Sequence, residues 1–430
     1  MKIAILGGGI TGLTAAYEAV VKGHIVTLYE KSPVLGGLAT GFKEKGWEWP
    51  LERAYHHLFA NDTDILNFAR EIGFNKIYFT SPRTDSLFET KDGKLETFSL
   101  DTPQDLLRLP LLPFLDKLRA GMVFAYLKAS PFLAIFENMT CEEFCRRTMG
   151  DRVWNVLWEE LFRKKFGKYA GNIVAAFIWA RIKKRTKKLG YIEGGFQTFI
   201  DYLEAQCAER GVKIKKGHTI KKLTKKGSKY VIDGKEYDAV ISTLPTHIMA
   251  DLTQNIFSKH YLSRFEKLKY LWAHVIILKT AKPILKKTYW LSVCAKKVPF
   301  MVLVQHTNFV DKKHYGGQNL SYIGNYVDGD SALLKMSDIQ AKTYSLNGLK
   351  KMGVTIDKKT TKIYQFKAPY AQPLFDNNFV QNKPDFITPS KNFFIANLDM
   401  TYPYDRGTNY AVKLGREVAN VLPLDKSITL

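Results

Sequence analysis

The sequence has few cysteines and no long uninterrupted apolar run. Its 430 residues include four cysteines, and no CxxC pair or Cys/His cluster offers a zinc site. We therefore expect neither a disulfide nor a bound metal. No stretch reaches about 18 consecutive apolar residues, and the first apolar strand begins at residue 2, which leaves no room for a cleavable signal. These absences predict a cytoplasmic protein.

Acidic residues are scarce relative to basic ones. Lysine and arginine outnumber aspartate and glutamate 64 to 41, which gives a formal charge of +23, and the excess is concentrated in residues 163–168, 181–188 and 213–229. Such a surface attracts anionic partners, either an anionic membrane or nucleic acid, unless it only faces solvent. The sequence contains no nucleic-acid-binding module, so we expect no nucleic acid partner. It also lacks an HExxH motif, a Ser/His/Asp order and a carboxylate pair typical of hydrolases.

The most informative feature that is present is the opening run MKIAILGGGITGL. Residues 2–6 form an apolar strand pattern, and a helix of small residues follows. Gly7 permits the tight turn, Gly9 lets a pyrophosphate approach the helix N-terminus, and Gly12 allows close packing of helix and strand. Glu30 ends the next strand, eighteen residues after Gly12, where it can accept from a ribose hydroxyl. The spacing predicts a dinucleotide site.

A second glycine pair follows in KSPVLGGLATGF, at Gly36 and Gly37. The two motifs together resemble the FAD signature of the amine oxidase, protoporphyrinogen oxidase and phytoene desaturase superfamily. Flavin amine oxidases commonly have arginine after the second glycine, and here that residue is Leu38. The chain therefore resembles the desaturase-like and protoporphyrinogen-oxidase-like branches more than amine oxidases in the strict sense.

The resemblance implies an α/β fold in which a Rossmann-like FAD-binding domain (GR2-type) is interrupted by a substrate domain with a mixed or antiparallel sheet and by a helical subdomain. We expect the FAD domain at residues 1–78, 189–250 and 386–430, the substrate sheet at 79–100 and 251–385, and the helical subdomain at 101–188. The segments GGF, at 194–196, and DAVISTLP, at 238–245, match the order and spacing of the family's middle FAD segment. The FAD-binding residues that follow are Gly7, Gly9, Ile10, Thr11, Gly12, Glu30, Lys31, Gly36, Gly37, Leu38, Thr40, Thr219, Ile220, Thr243, Asn397, Asp405, Thr408, Asn409 and Ala411.

The C-terminal part completes this resemblance. Residues 393–397 form a last parallel strand pattern, and the segment from Asn409 begins a helix whose N-terminus would point at the flavin and stabilise negative charge on it. The family's usual Gly-Asp or Gly-Glu after the strand is Asn397-Leu398 here. Asp399 or Asp405 is expected to supply the missing acid for the ribityl-phosphate, and the sequence leaves the choice between them open.

Two segments suggest where a substrate meets the protein. Residues 106–136 are apolar but interrupted by basic residues and prolines, so they predict short helices that either rest on a membrane face or belong to the core of the helical subdomain. In the block from 265 to 370, aromatic and polar residues alternate, so that one face of a sheet lines a pocket. The pocket candidates are His56, His57, His306, Asn308, Tyr322 and Tyr326.

The leading functional hypothesis is an FAD-dependent oxidoreductase of the dehydrogenase, desaturase or oxidase type. It would transfer hydride to flavin N5 from an apolar or lipid-linked substrate, such as an isoprenoid, and would act in the cytoplasm or peripherally on the inner face of the membrane. The alternative is a flavin-dependent isomerase or UDP-galactopyranose-mutase-like enzyme. Residues 270–370 contain no arginine to bind a diphosphate, which argues against the mutase form. A nicotinamide-dependent dehydrogenase would leave the second glycine pair unexplained. The sequence does not indicate which oligomeric state the protein adopts.

Overall fold

Short apolar strands and amphipathic helices alternate in the computed structural model, which describes residues 1–422. The strands of this part of the chain are β1 (Lys2–Leu6), β2 (Ile25–Tyr29), β3 (Gly41–Phe42), β4 (Leu51–Glu52), β5 (Leu58–Phe59), β6 (Ile77–Thr80), β7 (Arg83–Glu89), β8 (Leu95–Phe98), β9 (Leu189–Ile192), β10 (Lys213–Lys215), β11 (Leu223–Lys226), β12 (Lys229–Ile232), β13 (Lys235–Tyr237), β14 (Ala239–Ser242), β15 (Tyr270–Thr280), β16 (Thr288–Val293), β17 (Val302–Gln305), β18 (Asn319–Val327), β19 (Lys362–Pro373) and β20 (Phe393–Ile395).

The α-helices in the same residues are α1 (Ile10–Val21), α2 (Thr63–Glu71), α3 (Pro103–Arg108), α4 (Phe114–Ala129), α5 (Cys141–Met149), α6 (Asp151–Val153), α7 (Glu159–Phe166), α8 (Ala176–Lys184), α9 (Gly195–Glu209), α10 (Thr246–Leu252), α11 (Lys259–Ser263), α12 (Ala332–Lys335), α13 (Asp338–Lys351), α14 (Asn377–Asn382) and α15 (Thr408–Asn420). A single π-helical turn, Trp154–Trp158, joins α6 to α7. None of the described helices is both long enough and apolar enough to cross a membrane.

A five-stranded parallel sheet, ordered β10-β2-β1-β14-β20, supports the predicted dinucleotide site. Its central strand β1 is apolar and buried from Ile3 to Leu6, as a parallel strand covered on both faces must be. Ile5 pairs with Leu28 on β2 and with Ile241 on β14. The sheet draws its strands from three separate stretches of sequence. The last eight residues of the predicted FAD domain, 423–430, lie outside the described residues.

A second, larger sheet has seven strands of mixed direction in the order β19-β15-β18-β17-β16-β7-β8. Its neighbours pair antiparallel except β16 and β7, which are parallel. Residues 83–98 therefore belong to the second sheet and join strands that come more than two hundred residues later. The long strand β15 is buried along most of its length, which places this sheet in the centre of the molecule.

Residues 103–184 form a helical segment that follows β8 and precedes β9 in the chain. Two of its helices begin with a capping box, at Thr102 with Asp105 and at Thr140 with Glu143. Aromatic side chains fill its core, with Phe162 packed against Trp154 and Phe177. The sequence pattern at residues 219–223 predicts a short strand, but residues 219–222 are a loop and β11 starts at Leu223. The cause is that Lys221 and Lys222 donate their backbone N–H groups to the side chain of Asp233.

Candidate active site

The first glycine turn has the geometry that a pyrophosphate requires. Gly7 has φ 105°, a conformation that L side chains rarely adopt. A Cβ on Gly12 would lie 2.0 Å from the carbonyl oxygen of Gly7, so this position requires glycine for packing alone. Gly9 is different, because a Cβ there would meet nothing nearer than the Cα of Gly37 at 4.0 Å. Helix α1 begins directly after Gly9 and has no side-chain cap, which leaves its first N–H groups for an anion.

The second glycine pair lies against the first turn. Gly36 donates its N–H to the carbonyl oxygen of Gly8 at 2.9 Å, and Gly36 and Gly37 both have positive φ. The hydroxyl of Thr40 donates to the carbonyl oxygen of Gly37 at 2.8 Å and closes the loop. Leu38 is 39% exposed. The two loops thus form one backbone-lined cradle next to the N-terminus of α1.

Glu30 stands at the end of β2, beside the same turn. Its carboxylate accepts from the N–H groups of Gly8 at 2.7 Å and Ser32 at 2.8 Å, which fixes it where a ribose would lie. The exposed Lys31 follows it. The N–H of His218 donates to the carbonyl oxygen of Glu30, which brings the following residues 219 and 220 to the same edge of the sheet.

The carboxyl ends of β14 and β20 complete this edge. The Thr243 hydroxyl donates to the carbonyl oxygen of Leu6 at 2.9 Å, and the Asn397 amide donates to that of Leu244 at 2.9 Å. Asp399 is buried and accepts from the hydroxyls of Tyr270 and Thr246 through one oxygen. Its other oxygen, Oδ1, has no hydrogen-bond partner among residues 1–422. Burial raises the pKa of this carboxyl.

Helix α15 begins at Thr408, and its N-terminus also has no side-chain cap. The Asn409 side chain is held by α2, because it donates to Asp64 at 2.8 Å and accepts from the N–H of Ile65 at 3.1 Å. Close packing on α1 fixes the helix, since a Cβ on Gly415 would lie 2.6 Å from the Cβ of Thr14. Among residues 1–422 no side chain caps the first turn of α15, although the N–H of Tyr410 donates to the carbonyl oxygen of Gly407. An open position at Gly9, an unpartnered oxygen on Asp399 and two uncapped helix starts fit an FAD molecule.

A partly open cavity of about 90 Å³ lies between the helical segment and the seven-stranded sheet. Aromatic side chains form much of its wall, and its polar lining is Tyr55, Lys165, Arg181, Ser292, Tyr326, Asp405 and Arg406. An open groove of about 520 Å³ on the surface shares Phe166 and Tyr326 with the cavity. The groove and the cavity therefore adjoin at these two side chains.

The charged side chains of the cavity differ in their hydrogen-bond partners. Lys165 donates to Asp405 at 2.6 Å, and burial lowers the pKa of Lys165 to about 8. Arg406 donates to the carbonyl oxygen of Ala371 at 3.1 Å and to the Gln372 side chain at 3.0 Å. Burial alone would raise the pKa of Asp405, but Lys165 and Arg181 lower it on balance. Asp405, which the sequence analysis predicts to bind the cofactor, thus forms an ion pair with Lys165 in this cavity.

Of the predicted pocket residues, only Tyr326 lines the cavity. His306 bonds to the Tyr315 hydroxyl at 2.8 Å, and Asn308 donates to two carbonyl oxygens, those of Leu285 and Thr288. Tyr322 donates to the carbonyl oxygen of Glu52. The structure places these three side chains in packing and hydrogen-bonding positions instead: His306 and Asn308 stand on the short helical turn that follows β17, and Tyr322 stands on β18, which is buried along nearly its whole length.

The paired histidines lie next to the cavity residue Tyr55 but outside the cavity itself. His56 bonds to the carbonyl oxygen of Ala54 at 2.7 Å, and His57 bonds to the Tyr289 hydroxyl at 3.2 Å. Burial lowers the pKa of each to about 4, so both rings are neutral at pH 7. A neutral imidazole here can accept or donate one hydrogen bond but adds no charge to the site.

Sequence reasoning missed four of the polar residues around the site: Glu52, Lys165, Arg181 and Arg406. Glu52 is buried and accepts from the Tyr191 hydroxyl and the Phe196 N–H, each at 2.7 Å, and burial raises its pKa to about 7. Residues 270–370 contain no arginine, but two arginines from outside this block, Arg181 and Arg406, line the cavity. One signal was present: Lys165 stands on the same helix face as Phe162 and Phe166.

The parallel sheet, the double glycine cradle and the aromatic cavity define an oxidoreductase that carries a flavin dinucleotide. Comparison with known proteins agrees with this class. The model of the flavin containing amine oxidoreductase family matches residues 10–422, and the chain belongs to that family. This membership confirms the predicted superfamily, the α/β fold class and FAD as the cofactor.

Individual relatives match less completely. A zeta-carotene desaturase of Zea mays is 26% identical over 133 residues, which are 29% of this chain and 23% of the maize protein. The matched segments span a quarter or less of the first curated relatives' own length. A structure provisionally assigned as a protoporphyrinogen oxidase from Exiguobacterium sp. 255-15 superposes with a TM-score of 0.74 at 18% identity, covering 97% of this chain and 98% of the other. Reduced UDP-galactopyranose mutase reaches a TM-score of 0.74 at 16% identity, covering 97% and 94%. At these identities the two structures show the fold alone.

Proposed function

We propose that this protein is an FAD-dependent oxidoreductase that oxidises a lipid-like substrate, such as an isoprenoid, collected from an anionic membrane surface. Bound FAD supplies the hydride-accepting chemistry. The protein's own residues position the cofactor: the turn at Gly9 and the start of α1 would hold the pyrophosphate, and Glu30 would hold the ribose. The N–H groups at Thr408 would face the flavin, and the cavity would orient the substrate and exclude water.

The observation that carries the substrate class is an apolar patch on the helical segment, made of Phe114, Leu115, Leu118, Met122, Tyr126, Phe132 and Ile135. Leu115 is 76% exposed, Met122 68%, Phe132 65% and Phe114 63%. Large apolar side chains that stand together in water are unusual on a monomeric surface and mark an interaction site. Each would contribute about 1.5 kcal/mol or more on burial in a bilayer interface.

Cations accompany the patch. Lys117, Arg119 and Lys128 lie on the same helix α4, and the protein carries a net charge of +23. Apolar side chains with interspersed lysine and arginine are typical of helices that rest on anionic lipid. The sequence alternative, ordinary core helices, fits α4 poorly, because only Ala120 and Leu127 of its sixteen residues are buried.

The patch is connected to the cavity through packed side chains. Phe124 of α4 contacts Trp158, with ring centroids 6.1 Å apart, and Trp158 contacts Phe162, a cavity residue. Lys128 donates to the carbonyl oxygens of Lys183 and Arg185 at the end of α8, the helix that carries Arg181. A membrane seated on the patch would therefore lie over the helices that enclose the cavity.

Membrane binding is tested by cosedimentation of the FAD-loaded protein with vesicles. Vesicles of phosphatidylglycerol and phosphatidylcholine are expected to bind the protein, and pure phosphatidylcholine vesicles are expected to bind it weakly. The double variant Leu115→Ser/Met122→Ser should bind the anionic vesicles at least about tenfold more weakly. Ile339→Ser is the matched control, because Ile339 is 80% exposed on the remote helix α13. Unchanged sedimentation of the double variant would refute the membrane proposal.

The redox part has its own test. The visible spectrum of the purified protein is recorded before and after anaerobic dithionite and again in air, and flavin bands that bleach and return establish redox competence. Anaerobic incubation with vesicles that contain isoprenoid lipids should then bleach the bands without dithionite. A protein that cannot take up FAD would refute the proposal, and a reducible flavin that no lipid reduces would refute the substrate class only.

A further inference from the structure

The cavity carries more positive charge than its own carboxylate can neutralise. Lys165, Arg181 and Arg406 line it, and among residues 1–422 Asp405 is the one carboxylate in its wall. With all four groups ionised, an excess of two positive charges faces a space whose remaining wall is largely aromatic. Unpaired cations in such surroundings are unfavourable, so a cavity of this composition is matched to an anion.

The three cations differ in how they are held. Lys165 is paired with Asp405, and Arg406 is fixed by Ala371 and Gln372 and lies 4.6 Å from the ring centroid of Tyr326. Arg181 makes no hydrogen bond or ion pair with any group in residues 1–422. Its guanidinium therefore keeps its full set of donors, which suit the paired oxygens of a phosphate or carboxylate.

We propose that the cavity binds an anionic oxygen group of the substrate, a phosphate or a carboxylate, with Arg181 as its main partner and Arg406 as the second. This inference rests on the proposed function, since it identifies the polar end of the lipid-like substrate. Arg406 stands two residues before Thr408, so the anionic end would lie beside the N-terminus of α15. The substrate is thus an acidic amphiphile rather than a hydrocarbon.

The aromatic wall explains why the anion would belong to a larger molecule. Phe162, Phe166 and Phe177 stand beside the cations, and the surface groove meets the cavity at Phe166 and Tyr326. Lys165 lies 4.7 Å from the ring centroid of Phe177, so its charge is already partly satisfied by rings. An inorganic anion would use the cations alone, whereas an amphiphile would also cover these rings.

The test compares four probes that share one tail, namely dodecyl phosphate, dodecanoate, dodecanol and dodecyltrimethylammonium, together with inorganic pyrophosphate, which has none. Each is titrated below its micelle concentration into the FAD-loaded protein, and binding is followed by the change in the flavin spectrum. We expect the two anionic amphiphiles to bind at least about tenfold more tightly than dodecanol or the cation. The ratio between phosphate and carboxylate then identifies the anionic group.

Variants assign the effect to a residue. Arg181→Gln should weaken the binding of dodecyl phosphate at least about tenfold and leave the affinity for dodecanol unchanged. The affinity of Arg181→Lys for dodecyl phosphate should lie between those of Arg181→Gln and the wild type, because a lysine keeps the charge without the paired donors. Arg185→Gln is the control, since it removes an exposed guanidinium that is paired with Asp101. Flavin content and the midpoint potential of the bound flavin are measured for each variant.

The outcomes separate the two proposals. Equal affinity for dodecanol and dodecyl phosphate would overturn the anion site and leave a lipid-like substrate in place. Pyrophosphate binding that depends on Arg181, with no gain from a tail, would support the anion site and refute the lipid proposal. A lowered flavin potential in Arg181→Gln with unchanged phosphate affinity would overturn the inference, because the cations would then serve the flavin. Binding of none of the probes would refute both.

Discussion

Replacing Gly9 by alanine separates cofactor binding from folding. Gly9 has φ −73°, which alanine adopts without strain, and its Cβ would meet only the Cα of Gly37 at 4.0 Å. The substitution should therefore leave the apoprotein as stable as the wild type, or about 0.4–1 kcal/mol more stable. The added methyl group would occupy the space between the two glycine loops, where the pyrophosphate is expected.

An extra methyl in a filled site costs about 1–3 kcal/mol, so the dissociation constant for FAD should rise about 5- to 150-fold. Fluorescence titration of apoprotein with FAD measures this change, and thermal unfolding of the apoprotein measures stability. Gly12→Ala is the contrasting variant, because its Cβ would lie 2.0 Å from the carbonyl oxygen of Gly7 and should destabilise the fold itself. Wild-type FAD affinity in a folded Gly9→Ala protein would refute the assignment of this turn.

Three further predictions concern stability. Burial raises the pKa of Glu52 from 4.5 to about 7, so the contribution of its protonated carboxyl to the stability of the fold is complete below pH 4.5 and is lost as pH rises through 7. Between these limits the unfolding free energy of the wild type should fall by about 3 kcal/mol more than that of Glu52→Gln. Identical pH dependence of the two proteins in urea titrations would refute this. Lys165→Met should lower the unfolding free energy by only about 1–2 kcal/mol, because the Asp405 carboxylate that loses its partner is one-third exposed. Adding Asp405→Asn to this variant should restore part of the lost stability, and additive losses in the double variant would contradict a coupled pair. Thr140→Ala should lower the unfolding free energy by about 1 kcal/mol, because it removes the N-cap of α5. Thr343→Ala, which changes an exposed threonine within α13, is the control. Equal losses of stability in both variants would show that the cap adds nothing.

The cofactor half of the fold could be predicted because its signals are local. The turn at Gly7 to Gly12, the acid at Glu30 and the pair at Gly36 and Gly37 each depend on residues close in sequence, and the structure brings all of them to one edge of one sheet. The division of the chain into domains stays a prediction, although the five-stranded sheet joins strands that lie far apart in sequence.

The substrate half could not be predicted in the same way. Arg181 and Arg406 meet in one cavity, yet 225 positions separate them in the sequence. The alternation on β17 and β18 correctly indicated a sheet, but both faces are covered, so polarity did not identify the side that faces a ligand. The usable signal was a cation within an apolar helix stripe, at Lys165 among phenylalanines, because a buried charge needs a partner.

The order of strands in the five-stranded sheet has a consequence for biosynthesis. Strand β1 leaves the ribosome well before β14, with which it pairs, and β14 in turn pairs with β20 near residue 394. Helix α15, which packs on α1 and would face the flavin, emerges later still. A nascent chain therefore carries an incomplete cradle until α15 has been synthesised, and stable uptake of FAD must follow that point.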